Sequence, residues 1–199
     1  MDLTARQQEI IEKAYELIAT GGIQSLTIKN LAGAIEVSEP AIYRHFSSKY
    51  EILDALLENF KVCASEVLAE EGCRDIASLD KVEHFILDRY ERAELNPNMA
   101  KVMFSEEIFQ DDPRLSTKVL RIMHSHKDVI YKIIAEGQVS GEIRGDFDAL
   151  IIFRIIFGPV RLLIKQWCLS GFGFNLKSEG TLLWEATRKM IAVQNVDCK

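Results

Sequence analysis

Three consecutive hydrogen-bond donors, Tyr43, Arg44 and His45, sit in a short polar stretch that also carries the small Ala41 and the apolar Ile42 and Phe46. That set suits the edge of a nucleic-acid groove. A phenol, a guanidinium and an imidazole donate to phosphate oxygens, an arginine fork matches a guanine edge, and a small residue lets the backbone come close. Ile42 and Phe46 lie four apart and would anchor the stretch from behind. Other chemistries are poorly supplied. His124 and His126 are near neighbours, but side chains two apart on a helix diverge by roughly 200°, a poor geometry for one metal ion. Glu106-Glu107 reads as a solvated pair, with no Ser-His-Asp or Cys-His arrangement, phosphate loop or metal cluster beside it. The expectation is therefore no catalytic residue, no metal, no cofactor and no enzyme.

The elements that would present the donors are helices. Ile10, Ile11, Ala14, Leu17 and Ile18 form one apolar stripe. Thr4 with Gln7 can close a capping box before it, and Gly21-Gly22 stops it. A second helix follows Thr27, with Ile28, Leu31, Ala32 and Ile35 facing inward. Ser38 is read as the cap of a third, Glu39 to His45, which tolerates Pro40 because first-turn amides lack helical partners. Ser48 with Glu51 forms another capping box, opening a long helix through Ile52, Leu53, Leu56, Leu57, Phe60, Ala64 and Val67 that Gly72 ends. Two short helices, a tight turn and a long helix make a helix-turn-helix, whose second helix enters the major groove. Taken alone, such a segment is more often a structural bundle.

The run from Thr27 to Leu53, with Tyr43-Arg44-His45-Phe46 followed by Lys49, resembles the DNA-binding signature of the TetR/AcrR family of transcriptional regulators, over about residues 4 to 60. The resemblance implies that the hydroxyl of Thr27, the side chains of Tyr43 and His45, and Lys49 at the start of the fourth helix meet phosphates. It implies that Ser38, Glu39, Pro40, Ala41 and Arg44 face the groove, with Lys29 among the DNA-contacting residues. Arg44 is the residue best placed to read a guanine edge or clamp a phosphate. It further implies an N-terminal three-helix DNA-binding domain, 1–48, and a C-terminal helical ligand-binding and dimerisation domain, 49–199, linked by a helix from about 48 to 70. One position departs from the pattern: Glu36 stands where the family usually has Gly. A positive φ there would cost about 1 kcal/mol.

The charge pattern is restrained. Residues 1 to 60 hold five Lys or Arg against nine Asp or Glu, a net of −4, and residues 27 to 50 hold three against two. Glu9, Glu12 and Glu16 are read as pointing away from DNA. Few phosphates would be neutralised, so weak non-specific binding and a shallow salt dependence are expected.

The rest of the chain sets limits. Its 199 residues are 48% apolar and 27% charged, with a net charge of −6, which excludes wholesale disorder and a basic nucleic-acid coat. Cys63, Cys73, Cys168 and Cys198 are scattered, as in a cytoplasmic chain with reduced thiols. The stretch Ala149 to Leu169 could span a bilayer by length, but Arg154, Arg161 and Lys165 fall on one face, so a buried helix with a solvated edge is expected and no membrane segment. Further helices are read at Ser78–Leu95, to about Phe109, Pro113 to about Gly137, Asp146 or so to Leu169, and Leu176 to Val193. The fold class is all-α, about nine helices.

In this back half the resemblance implies a pocket for a small, largely apolar ligand. Met103, Phe104, Phe109, Met123, His126, Phe157 and Trp167 are the candidate liners, since soft and flat side chains suit such a ligand. Apolar residues cover nearly the whole circumference of the 146–169 helix. With Leu182, Leu183, Ala186, Met190 and Ile191 on the last helix they suit a symmetric four-helix homodimer interface on a palindromic operator, with a monomer as the alternative. The leading reading is a dimeric regulator, a repressor released by a small ligand. The alternative is a ligand-independent DNA-bound protein acting through a protein partner, as in nucleoid-associated control of division.

Overall fold

The computed structural model describes residues 3–73 and 75–193 and, within them, the side chains of all but 63–73 and Glu106. Nine α-helices occur among the described residues. They are α1 Ala5–Gly21, α2 Ile28–Ala34, α3 Glu39–Tyr43, α4 Lys49–Cys73, α5 Ser78–Leu95, α6 Pro97–Met103, α7 Pro113–Ser140, α8 Ala149–Leu169 and α9 Leu176–Ile191. Short 3-10 turns at Ile23–Ser25 and Glu106–Phe109 follow α1 and α6. The inward roles read for Ala64 and Val67, the thiols of Cys63, Cys73 and Cys198, and Glu106 of the acidic pair lie outside the described side chains.

The chain divides into two compact units, residues 1–63 with 96–122, and residues 64–95 with 123–199. The first unit therefore takes in 96–122, which a division at 48–49 places in the second domain. The reason is packing: α6 lies along α1, and Val102, Met103, Phe109, Leu115 and Ile122 share one core with Ile10, Ile11, Leu31, Ile42, Ile52 and Leu56.

Local chemistry sets the ends of the first helices. Thr4 Oγ1 accepts from the Gln7 amide at 3.3 Å while the Thr4 amide donates to Gln7 Oε1 at 3.0 Å, the reciprocal capping box. Gly22, at φ 73°, ends α1. Thr27 Oγ1 accepts from the Asn30 amide at 3.0 Å and starts α2. Two expectations need correction. Ser38 occupies the cap position of α3 but its side chain makes no cap bond. The Glu51 amide donates to Ser48 Oγ at 3.3 Å, yet the Glu51 carboxylate grips the amide and hydroxyl of Ser47, each at 2.7 Å, not the amide of Ser48. These bonds hold the Glu51 carboxyl below its ordinary pKa.

In the second unit α5 and α9 pack against each other along their length, with α8 against α9. Arg188 near the end of α9 reaches Glu83 and, at 2.8 Å, Asp80. At the other end the Glu94 carboxylate accepts from the Leu176 amide at 2.8 Å, completing the start of α9. Gly137 does not end α7, which runs on to Ser140 with Gly141 at φ 79° beyond it. A Cβ at 137 would come within 2.8 Å of Ser78 Cβ, so the glycine serves close approach instead. α8 starts at Ala149 with Asp148 as its cap, later than the expected Asp146, and continues through Pro159. Within its own unit it buries one stripe, Ile152, Ile156, Val160, Ile164 and Trp167. No helix among the described residues is long and apolar enough to cross a membrane.

Candidate functional site

In the first unit the turn between α2 and α3 fixes how α3 is offered. The Val37 amide donates to the Ala32 carbonyl at 2.9 Å and the Glu36 amide to the Gly33 carbonyl at 3.4 Å, the paired bonds of a Schellman ending. Glu36 occupies its left-handed position at φ 56°, so the positive φ raised as a possibility by the sequence is present. Behind α3, Ile42 and Phe46 are buried in the unit's core. In front, Ser38, Glu39, Pro40, Tyr43 and Arg44 are exposed, with Ala41 and His45 half-buried. The helix itself is shorter than Glu39–His45. It ends at Tyr43, and Arg44 and His45 lie in a tight turn whose amides still reach back to Pro40 and Ile42.

Thr27 and Lys29 are exposed at the start of α2. Lys49 is engaged elsewhere: its ammonium donates to the Ile23 carbonyl at 3.0 Å, and burial lowers its pKa. It staples the start of α4 to the turn after α1, and two of its three N–H bonds are left for an anion. Beside the end of α3 a cavity of about 780 Å³ is reached by His45 and Phe46 and walled by Glu51, Asp54, Glu58 and Lys118. Lys118 bridges Asp54 at 2.8 Å and Glu58 at 3.3 Å, while Arg114 covers the Tyr50 ring at 3.8 Å. The first turns of α7 are thereby tied to the first turns of α4.

The seven candidate ligand liners fall into two groups. Met103, Phe104 and Phe109 belong to the first unit, where Met103 and Phe109 are core and Phe104 packs on it. Met123, His126, Phe157 and Trp167 belong to the second. Met123 is exposed. Trp167 is tied up at the end of α8, its indole donating to the Phe174 carbonyl at 3.0 Å and its ring tilted on Phe172. Phe157 sits in an aromatic group, 5.7 Å from Phe85 and stacked on Phe153 at 4.7 Å. Arg89 lies over Phe85 at 5.0 Å, with its side chain only 12% exposed and paired to Asp88. Burial, and then the charge of Arg89, push the pKa of His126 down to about 4, so the imidazole is neutral. Arg89, Phe85, Tyr90 and Trp184 were not singled out as site residues by the sequence, and Arg161, read there as part of a solvated edge, is half-buried. At helical spacing each looks like ordinary core or surface.

A second surface feature is apolar. Leu162 and Leu169 on α8 and Leu182 and Met190 on α9 stand exposed, Leu169 by 79% and Leu182 by 58%. Of the α9 residues read as interface, Ile191 is instead buried within its own unit.

Comparison with known proteins agrees with this arrangement. Residues 10–56 match the model of bacterial regulatory proteins, tetR family, and residues 65–188 match the C-terminal region of YsiA-like proteins. The chain belongs to the tetR family. This tetR-family chain is a DNA-binding transcriptional regulator. The fatty acid metabolism regulator protein of Bacillus subtilis (strain 168) is 23% identical over 171 residues, taking in 86% of this chain and 88% of that one. A crystal structure of the Bacillus subtilis transcriptional regulator FadR in complex with stearoyl-CoA superposes with a TM-score of 0.80 at 23% identity, over 90% of this chain and 96% of that one. The nucleoid occlusion factor SlmA of Photobacterium profundum is 20% identical over 183 residues, 92% of this chain and 93% of that one.

Proposed function

We propose that the protein is a homodimeric repressor that reads a palindromic operator and leaves it when a fatty-acyl effector occupies the second unit. The observation that carries the DNA-reading half is the presentation of α3. Its apolar side is locked by Ile42 and Phe46, while Ser38, Glu39, Pro40, Tyr43 and Arg44 are bare. In this reading Arg44 reads a base edge, Thr27, Lys29, Tyr43, His45 and Lys49 hold phosphates, and Ala41 permits close approach. Two copies joined through the apolar side of α8 and α9 would set two α3 helices about one helical turn of DNA or more apart.

The effector half is supported by the second unit's chemistry. A poorly solvated Arg89 over Phe85 of the Phe85–Phe157–Phe153 group, and a half-buried Arg161 one turn after Phe157 on α8, suit an anionic molecule with a long apolar body. The relatives named for fatty acid metabolism and for stearoyl-CoA point the same way. α4 and α7 each supply turns to both units, and the Lys118 and Arg114 contacts tie their first turns together. Release by the effector requires that it bind the two states with different affinities, typically about 1–3 kcal/mol of coupling.

The test is fluorescence anisotropy with DNA from upstream of the protein's own gene against a scrambled duplex, at two salt concentrations, with and without stearoyl-CoA. Binding confined to the native fragment, lost by tenfold or more (about 1–3 kcal/mol) in Arg44→Ala and less so in Tyr43→Phe, is the expected result. Equal, weak binding to both duplexes would refute it. Tight binding that no acyl compound releases would favour the second reading, a DNA-bound protein acting through a protein partner, which the likeness to the nucleoid occlusion factor supports.

A further inference from the structure

Two buried donors between α5 and α9 meet no acceptor among the described residues. Tyr90 is 0% exposed and Trp184 2%, and neither the phenol hydroxyl nor the indole N–H has a hydrogen-bond partner among the described residues. The register of the two helices places them near each other. They run antiparallel, with Lys177 on Glu91 at 3.0 Å towards one end and Arg188 on Asp80 at 2.8 Å towards the other. Tyr90 lies flat on α9 at Gly180, where a Cβ would come within 2.2 Å of Tyr90 Cε2. Trp184 is one turn beyond Gly180 and one turn before Arg188, which sets it alongside the Phe85–Tyr90 turn of α5. The same turn carries the Phe85–Phe157 contact and the Arg89 guanidinium.

A donor left unbonded in apolar surroundings is costly, and Phe at 90 would fill the same volume without that cost. Burial raises the pKa of the Tyr90 phenol, so it keeps its proton and offers it. We propose that Tyr90 and Trp184 are the hydrogen-bond donors for the acyl oxygen of the effector, a C=O borne on a long apolar chain, as thioester or as carboxylate. The inference rests on the fatty-acyl reading above. Aromatic rings take the chain, the donors take the oxygen, and Arg89 lies beside them for the negative charge.

The experiment titrates the full-length protein with three probes by calorimetry: stearoyl-CoA, stearate, and S-octadecyl-CoA, a thioether with a methylene in place of the C=O. The wild type should prefer stearoyl-CoA over the thioether by about tenfold or more, and Tyr90→Phe should bring the two level. Trp184→Phe should reduce the preference in the same direction. Tyr90→Phe removes an oxygen and no volume, so its unliganded thermal midpoint should match or exceed wild type. Tyr15→Phe is the control: its hydroxyl donates to the Leu56 carbonyl at 2.7 Å, and its loss should lower the midpoint. If stearate binds more tightly than stearoyl-CoA and Tyr90→Phe weakens it about tenfold, the carboxylate is the source and the proposal stands. If Tyr90→Phe keeps the preference for the acyl oxygen, or its midpoint falls as Tyr15→Phe does, the donor role is wrong while the effector class survives. If wild type binds none of the probes, the fatty-acyl reading fails and the donor role falls with it.

Discussion

Tyr15 and Tyr90 are both buried, one in each unit, and only Tyr15 has its hydroxyl bonded to a described acceptor, the Leu56 carbonyl. The contrast extends to their surroundings. The first unit closes an apolar core around α1 to α4, α6 and the start of α7, and pairs Lys118 with Asp54 and Glu58. The second holds a neutral histidine, a poorly solvated arginine, two donors with no acceptor among the described residues, and bare leucines. A unit whose task is to hold one short helix at a fixed angle gains from having every polar demand met. On the proposed effector reading, a unit that changes state when a molecule arrives keeps demands open for it to meet.

The largest test of that contrast is acidification. An unfolded His126 takes up a proton below about pH 6.5, while the folded one resists until about 4. Its contribution to stability is therefore complete above pH 6.5 and is lost as pH falls through that window, by up to about 3 kcal/mol. Urea unfolding at pH 7, 5.5 and 4.5 should show this loss in wild type and a shallower one in His126→Gln. In the first unit, hydrogen bonds from Ser47 and from Lys61 hold Glu51 and Glu58 below the ordinary carboxylate range, so their contribution gives way only in stronger acid. Identical slopes for wild type and variant would mean that His126 is well solvated, and the contrast would weaken.

Glycines offer the next test. Gly180→Ala forces a Cβ onto the Tyr90 ring and should cost about 2 kcal/mol or more by thermal unfolding. Gly33, in α2, has nothing within 4 Å of a Cβ, so Gly33→Ala should gain about 0.5–1 kcal/mol. A neutral Gly180→Ala would show that α5 and α9 are looser than their contact implies. The smallest effect is expected at Glu36: the left-handed φ of 56° should make Glu36→Gly more stable by about 1 kcal/mol, read as a raised thermal midpoint. A lowered midpoint would mean that the Glu36 side chain contributes more than its backbone strain costs.

The first unit was largely legible because its devices are local. Thr4 with Gln7, Thr27 with Asn30, Gly22 and the turn at Glu36 act within a few residues, and the Tyr43-Arg44-His45-Phe46 run is distinctive. Even there, Ser38 caps nothing by its side chain and Lys49 turns back to Ile23, because those choices depend on neighbours beyond the local run. The second unit was legible as helices but not as a site. Tyr90 and Trp184 recur at core spacing, and what distinguishes them, the lack of an acceptor among the described residues, depends on neighbours brought together from positions as far apart as 90 and 184. Met103 and Phe109 were read as pocket walls on residue type alone, which does not say which of two cores a side chain will join.

The seat of Tyr90 on α9 at Gly180 also bears on timing. A hydroxyl that is 0% exposed can be reached only while α5 and α9 part, a motion of packed helices on the microsecond-to-millisecond scale. Uptake gated in this way is slower than free encounter, and departure must wait for the same opening. If Tyr90 meets the effector as proposed, a pulse shorter than a few such openings would leave the operator occupied, and only a longer one would clear it.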